Sequence, residues 1–324
     1  MQPDLARISR SSARLRGPGE PTRRTLRGWF TLLIAVILVG TSLGAGGIAT
    51  NAFGLGSLFE RVQTKVARLV AGPPPDRDTL PTIEETDAPV LPSDEPIVSS
   101  EPPPSGQPTR SAGPTPTPVP RVAVDIDIVA RHGPEFAHEL RDDWCSPAGV
   151  TTTLAILGLG PPTEARQREI ASRIGEWESY RDSHNGEWGP AAMALALDAY
   201  GAKGYKIVAY GSRPLALRGA AKAIANTNSP AILLAWRGAH TWVMTGFRAD
   251  ADPRVFADAK VSGAYIDDPW YPWTSSIWGK SDPPGTFQTS GEMVRNFLAW
   301  KRPEGHYANR DDKFIVLIPT IKRP

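Results

Sequence analysis

The sequence has very little cysteine: Cys145 is its one cysteine in 324 residues. A single thiol excludes an intramolecular disulfide, so any folded domain must be held together by an apolar core. The formal net charge of +2 is too small to indicate a nucleic-acid partner, and we predict none. The nucleotide-binding pattern G-x-x-x-x-G-K-[ST] is also missing. What stands out against these absences is the isolated thiol.

Charged residues are absent from residue 28 to residue 59. The apolar run over residues 28–50 is long enough for one transmembrane helix of ~20 residues. The preceding tail, residues 1–27, is rich in arginine, and the positive-inside rule places it in the cytoplasm. A cleaved signal peptide, with Gly47-Ile48-Ala49 as its cleavage site, is the competing interpretation. We predict a single-pass cell-membrane protein with a cytoplasmic N-terminus and an extracytoplasmic C-terminal domain.

The rest of the chain divides by composition into three parts. Residues 51–71 are predicted to be a juxtamembrane segment. Residues 72–120 hold about half of the 33 prolines and few large apolar residues, which predicts a disordered linker. Residues 121–324 are predicted to form one α+β domain, with helices mostly before strands. Helices are predicted from Pro147, Thr163, Pro190 and Pro214 and again over residues 290–300, and strands over residues 205–211, 230–236, 240–247, 263–268 and 313–319.

Cys145 lies where a helix is predicted to begin, in "DDWCSPAG". The N-terminus of a helix stabilises a thiolate and lowers the pKa of a thiol placed there. A nucleophilic cysteine also needs a base and a group that orients the base. His240 opens the strand "HTWVMTGF", and "YIDDPW" offers Asp267 and Asp268 at the end of another strand. The order cysteine, histidine, aspartate therefore predicts thiol-based nucleophilic catalysis.

The motifs "CSP", "GAHTWVMTGF" and "YIDDPW" together resemble those of the bacteriocin leader-peptidase-like proteins (peptidase family C thirty-nine-like) of the papain superfamily. The resemblance covers residues 121–319. It implies a papain-like fold, in which a helical part packs on an antiparallel sheet. It also implies Cys145 as nucleophile, His240 as base and Asp268 as orienting acid, with Asp267 left as the other choice. The other histidines have no ligand-like spacing with a further cysteine, so we predict no metal and no cofactor.

One expected feature of the family is missing. Its glutamine a few residues before the cysteine donates to the oxyanion, but residues 122–144 contain no glutamine and no asparagine. His138 and Glu139 are the candidates to replace it. An ionised Glu139 cannot donate, and losing such a donor costs ~10²–10³ in rate. The sequence therefore predicts a slow enzyme that Glu139→Gln should accelerate. The predicted groove candidates are Trp144, Ser146, Trp242 and Trp270.

Three functions are consistent with these observations. The first is a membrane-anchored, extracytoplasmic cysteine peptidase that hydrolyses a peptide or a cell-wall peptide. The second is a catalytically weak or inactive papain-like module that binds peptide or glycan. The third is a peptidoglycan hydrolase, which the partial match of "DDWCSPAG" to an Asp-Cys-Ser-Gly pattern suggests.

Overall fold

The computed structural model describes residues 72–85, 119–183, 188–302 and 304–322, together with the exposed helical positions 59, 62, 63, 66, 69 and 70. The chain divides into two units, Met1–Ala67 and Arg68–Pro324, and the strands described here lie in the second. The tail 1–27 and the predicted transmembrane helix 28–50 lie outside the described residues. In the described part of the chain, no helix combines the length and the apolar character needed to cross a bilayer.

An eight-stranded sheet forms the centre of the second unit. The described strands are β1 (Thr82–Glu85), β2 (Val124–Asp127), β3 (Tyr205–Tyr210), β4 (Ala231–Ala235), β5 (His240–Ala249), β6 (Val261–Asp267), β7 (Thr274–Ser275), β8 (Gly279–Lys280), β9 (Thr286–Thr289) and β10 (Phe314–Pro319). The order in the sheet is β1-β3-β10-β4-β5-β6-β9, with β2 paired to the end of β5, and all pairs are antiparallel except β1 with β3. A short separate ribbon pairs β7 with β8.

The helices begin and end where local sequence signals place them. The hydroxyl of Thr163 caps the helix Glu164–Ser172 by accepting from the Arg166 N–H, and Pro190 opens the helix Pro190–Ala199. After the helix Cys145–Ile156 the chain turns at Gly158, whose φ of +69° suits glycine. Among the described residues from 72 onward, the helices are α1 (His132–Glu135), α2 (Cys145–Ile156), α3 (Glu164–Ser172), α4 (Pro190–Ala199) and α5 (Arg213–Thr227), with 3₁₀ turns at Ile174–Glu176, Trp236–Gly238 and Glu292–Arg295.

Apolar side chains cover both faces of the sheet. In β4, Ile232 and Leu234 pack into the cluster that holds α2 and α4, whereas Leu233 packs into the cluster that holds α5. This alternation follows from the two-residue period of a strand. The predicted α+β class is confirmed, but helices lie on both faces of the sheet. The central strands are therefore buried on both sides and read as continuous apolar runs.

Part of the predicted linker is ordered structure. Residues 82–85 form β1, which pairs with β3 at one edge of the sheet. The Arg77 guanidinium donates to the Glu176 carbonyl, and the Ser179 hydroxyl donates to the Arg77 carbonyl. The prediction of disorder was wrong for these residues because their backbone groups find partners on the domain, which composition alone does not reveal. Residues 86–118 of the predicted linker lie outside the described residues.

The helix predicted over residues 290–300 is also wrong. Only the short turn Glu292–Arg295 forms there. The carbonyls of Asn296 and Phe297 instead accept from the Trp236 N–H and the Arg213 guanidinium. Partners elsewhere in the fold thus end the helix after one turn. The same contacts hold the chain that leads into β5.

Candidate active site

Cys145 is the first residue of α2 and is half-buried. Pro147 is accommodated in the first turn, where a helix has no partner for its N–H groups. Next to Cys145, the Ser146 hydroxyl lies 3.1 Å from the Thr241 hydroxyl of β5. A Cβ atom at Gly149 would lie only 2.5 Å from the Thr241 side chain, so glycine permits this close approach of helix and strand. The thiol is thereby brought to the start of β5.

His240 and Asp268 form the second part of the site. The Nε2–H of His240 donates to Oδ1 of Asp268 across 2.7 Å, and both side chains are buried. Oδ1 also accepts from the Trp270 N–H, while Oδ2 accepts from the Ser281 hydroxyl. These bonds fix the carboxylate and leave Nδ1 of the imidazole available to Cys145. The structure thus brings together the three residues predicted as nucleophile, base and orienting acid.

Asp267 faces a different histidine. Its Oδ1 accepts from Nδ1 of His132 at 2.8 Å, and Nε2 of His132 donates to Asp127 at 3.0 Å. Successive residues at the end of β6 point to opposite sides, so only one aspartate can meet His240. The structure places Asp268 beside His240 and Asp267 in an ion pair with His132.

The charges of the site favour a thiolate and an imidazolium. Burial by itself would raise the pKa of the Cys145 thiol, but the hydrogen bond and charge of His240 bring that pKa below its ordinary value. Burial by itself would lower the pKa of His240, but Asp268 and Cys145 raise it to about 10. Burial would likewise raise the pKa of Asp268, and His240 with Ser281 lowers it. The site therefore favours a nucleophilic thiolate beside a protonated base.

Glu139 is the fourth group near the thiol. A carboxyl oxygen of Glu139, the Cys145 sulfur and a ring nitrogen of His240 lie within 4.8 Å of one another. This spacing would also suit a metal ion. We interpret the thiol and imidazole as a nucleophile and its base, because Asp268 completes that arrangement. His138, the other predicted oxyanion candidate, is directed elsewhere: its Nδ1–H donates to the Tyr271 carbonyl at 2.7 Å.

Aromatic rings cover the imidazole. Trp236 stacks on His240 with ring centroids 3.8 Å apart, and Trp278 stacks on Trp236 at 5.8 Å. The ring of Trp270, a predicted groove residue, meets both Trp236 and His240 edge to face. Trp144 is half-buried, with the Arg141 guanidinium over its ring. The indoles of Trp236 and Trp270 thus shield the hydrogen bond between the base and its carboxylate from water.

Two predicted groove residues are placed differently. Ser146 is buried and bonded to Thr241, so it joins α2 to β5 rather than facing a substrate. Trp242 is fully buried in the α5 cluster, because its place in β5 directs it into the core. Its ring lines a polar cavity of about 360 Å³ on the Ser281 side of Asp268, together with Lys280.

Three residues that support the site were not predicted. Trp236 stacks on the base, Ser281 fixes the acid and Gln167 of α3 bonds the chain on both sides of Glu139. Trp236 could have been noticed from its position four residues before His240. Nothing local in the sequence indicates Ser281 or Gln167, because both reach the site through long-range contacts.

Comparison with known proteins gives limited similarity. No family model and no curated protein matches the chain. A solved structure that is similar to it is described as the crystal structure of a double glycine motif protease from AMS/PCAT transporter in complex with the leader peptide. The identity is 15%, the TM-score is 0.31, and the match covers 61% of this chain and 99% of that chain. A function for this chain therefore has to rest on the geometry of its own site.

Proposed function

We propose that the domain is a cysteine hydrolase that cleaves peptide bonds through a thioester. One observation carries this proposal: the Nε2–H of His240 donates to Asp268 at 2.7 Å, and the same imidazole lies beside the thiol of Cys145. This is the arrangement that a cysteine nucleophile requires, with the base held by a third group. Buried structural cysteines lack such partners.

Each residue has a defined role in the proposed reaction. The Cys145 thiolate attacks the carbonyl carbon, and the π electron pair moves to the carbonyl oxygen. When the tetrahedral intermediate collapses, the C–N bond breaks and His240 gives its proton to the leaving amine. A water molecule then attacks the thioester, His240 takes its proton, and the C–S bond breaks to restore the thiolate. Asp268 keeps the imidazole oriented throughout.

The cellular location is also a proposal, and it rests on the sequence. The uncharged run over residues 28–50 and the arginine-rich residues 1–27 support a membrane anchor with an extracytoplasmic domain. Protease added to intact cells should degrade the domain. Protection of the domain until lysis would show the opposite orientation.

Thiol labelling combined with hydrolysis tests the proposed function. The full chain, its Cys145→Ala variant and its His240→Ala variant are incubated with a quenched fluorogenic peptide library and, separately, with purified cell wall. The exposed residue His306 provides the matched control His306→Ala. We expect hydrolysis by wild type and His306→Ala only, together with labelling of Cys145 by iodoacetamide at neutral pH.

Other outcomes identify the alternatives. Peptide or glycan binding by Cys145→Ala without turnover by wild type would favour a binding module. Release of peptides from cell wall, with no cleavage of the free library, would favour a peptidoglycan hydrolase. Hydrolysis that survives Cys145→Ala would eliminate the thiol mechanism.

A further inference from the structure

Glu139 is buried without a hydrogen-bond partner. Its side chain is 0% exposed, and among the described residues nothing bonds either carboxyl oxygen. Leaving a buried polar group unpaired is destabilising, and more so when the group is charged. Its carboxyl lies within 4.8 Å of both the Cys145 sulfur and a His240 ring nitrogen. An unpaired group in this position is suited to a partner that exists only during the reaction.

The backbone around Glu139 is held on both sides. Gln167 donates from Nε2 to the His138 carbonyl at 2.8 Å and accepts at Oε1 from the Leu140 N–H at 2.8 Å. The N–H of Glu139 itself donates to the Pro269 carbonyl at 3.0 Å, in the loop that follows Asp268. Gln167 is itself buried. The carboxyl is therefore fixed next to the thiol by α3 and by the loop that carries the orienting acid.

The surroundings of Glu139 favour the protonated form of its carboxyl. Burial is the main cause that raises its pKa well above the ordinary value, and the negative charges of Cys145, Asp268 and Asp143 act in the same direction. The imidazolium of His240 opposes them. In its protonated form the side chain is a carboxylic acid, which has one O–H to donate.

We propose that Glu139 is a catalytic residue that donates a hydrogen bond from its neutral carboxylic acid to the oxyanion of the tetrahedral intermediate. This proposal rests on the proposed function. No proton is transferred in this step: the acid O–H remains on Glu139 while the carbonyl oxygen carries the negative charge. The N–H of Cys145, at the first position of α2, is placed to be the second donor.

The proposal reverses the expectation from the sequence. An ionised Glu139 would repel the oxyanion, and Glu139→Gln would then accelerate the reaction. A neutral Glu139 already supplies the donor, so Glu139→Gln should change little at low pH. Because only the protonated acid donates, wild type should lose activity as the pH rises, whereas Glu139→Gln should keep its activity to higher pH.

The experiment compares a reaction that forms an oxyanion with one that does not. Hydrolysis of p-nitrophenyl acetate passes through a tetrahedral intermediate, whereas alkylation of the thiolate by iodoacetamide does not. Both rates are measured from pH 5 to pH 10, in EDTA, for the full chain and for Glu139→Gln, Glu139→Leu and Cys145→Ala. Glu176→Gln is the matched control, since Glu176 is an exposed glutamate paired with Arg173.

We expect Glu139→Leu to lower kcat for the ester by ~10²–10³ with little change in KM. Its alkylation rate should stay within a few-fold of wild type, which also shows that the variant is folded. Glu139→Gln should match wild type below neutral pH and exceed it at high pH. Glu176→Gln should behave as wild type in both reactions.

Two different failures are distinguishable. Rapid alkylation together with normal ester hydrolysis by Glu139→Leu would overturn the role of Glu139 and leave the proposed function intact. A parallel fall of both rates would also overturn it, because Glu139 would then act on the thiol and not on the oxyanion. Ester hydrolysis that is unchanged in Cys145→Ala would overturn the proposed function itself.

Discussion

The indole of Trp236 stacks on the imidazole of His240, with ring centroids 3.8 Å apart and planes inclined by 17°. Trp236 adopts φ of +51°, and its N–H donates to the Asn296 carbonyl at 2.8 Å. A non-glycine residue in this region is strained, so the contacts around it must hold it there. A cation over an aromatic face gains ~0.5–2 kcal/mol. The stack therefore favours the imidazolium over the neutral imidazole.

Replacing Trp236 with leucine should weaken the thiolate. Loss of about 1 kcal/mol from the imidazolium would shift the equilibrium back towards thiol and neutral imidazole, and would raise the pKa of Cys145. The rate of iodoacetamide labelling against pH measures this. Trp278→Leu is the control, because Trp278 stacks on the far face of Trp236. Equal midpoints for all three proteins would show that the stack has no electrostatic role.

Asparagine at Asp268 should lower kcat by roughly 10²–10⁴, because the amide neither fixes the proton position on the imidazole nor stabilises the imidazolium. Asp268 is the largest of the influences that raise the pKa of His240 to about 10. Without it, that pKa should fall, and the ion pair with Cys145 should disappear at a lower pH than in wild type. The pH profile of kcat/KM measures both effects. Asp267→Asn should leave kcat within a few-fold, and a larger loss there would contradict this assignment.

His132→Gln should destabilise the fold without changing the chemistry of the site. Asp267 is 0% exposed, and removing its cationic partner leaves a buried charge, which costs about 3–5 kcal/mol. Burial by itself would lower the pKa of His132, but Asp127 and Asp267 raise it to about 10, above an unfolded value of about 6.5. The stability that His132 contributes is therefore complete below about pH 6.5 and is lost as the pH rises through about 10.

Urea unfolding at pH 6 and at pH 10.5 checks this prediction. The difference between wild type and His132→Gln should be largest at pH 6 and should shrink at pH 10.5. The double variant His132→Gln with Asp267→Asn should recover part of the loss, because it removes the unpaired carboxylate. A difference that grows with pH would show that His132 is not held as a cation.

The parts of the site that the sequence predicted are those with a local signal. Cys145 begins a helix, His240 begins a strand and Asp268 follows the end of one, and each of these positions has a pattern in its neighbouring residues. The choice between Asp267 and Asp268 had no such signal, because it depends on which of the two side chains lies on the same side of the sheet as the His240 imidazole. The raised pKa of Glu139 depends on burial by residues distant in the sequence.

The same distinction explains the error in the linker. β1 has few apolar residues, and its Ile83 is exposed, so its composition resembles that of a disordered segment. Its place in the sheet comes from backbone pairing with β3 and from the Arg310 guanidinium, which donates to Thr82 at 2.9 Å. Pairing of this kind is not visible in hydrophobic periodicity.

Removing β1 should therefore destabilise the domain and expose the edge of its sheet. Arg310 also donates to the Asp182 carboxylate, which accepts from the N–H groups of Ala191 and Ala192 at the start of α4. A chain that begins at residue 86 loses the contact of Thr82 with this buried network, while a chain that begins at residue 72 keeps it.

Because each hydrogen bond contributes about 1 kcal/mol net, we expect the shorter chain to be less stable by roughly 2–4 kcal/mol in urea unfolding. It should also self-associate in sedimentation velocity, since β3 becomes an unpaired edge. Equal stability and equal sedimentation of the two chains would show that residues 72–85 belong functionally to the linker.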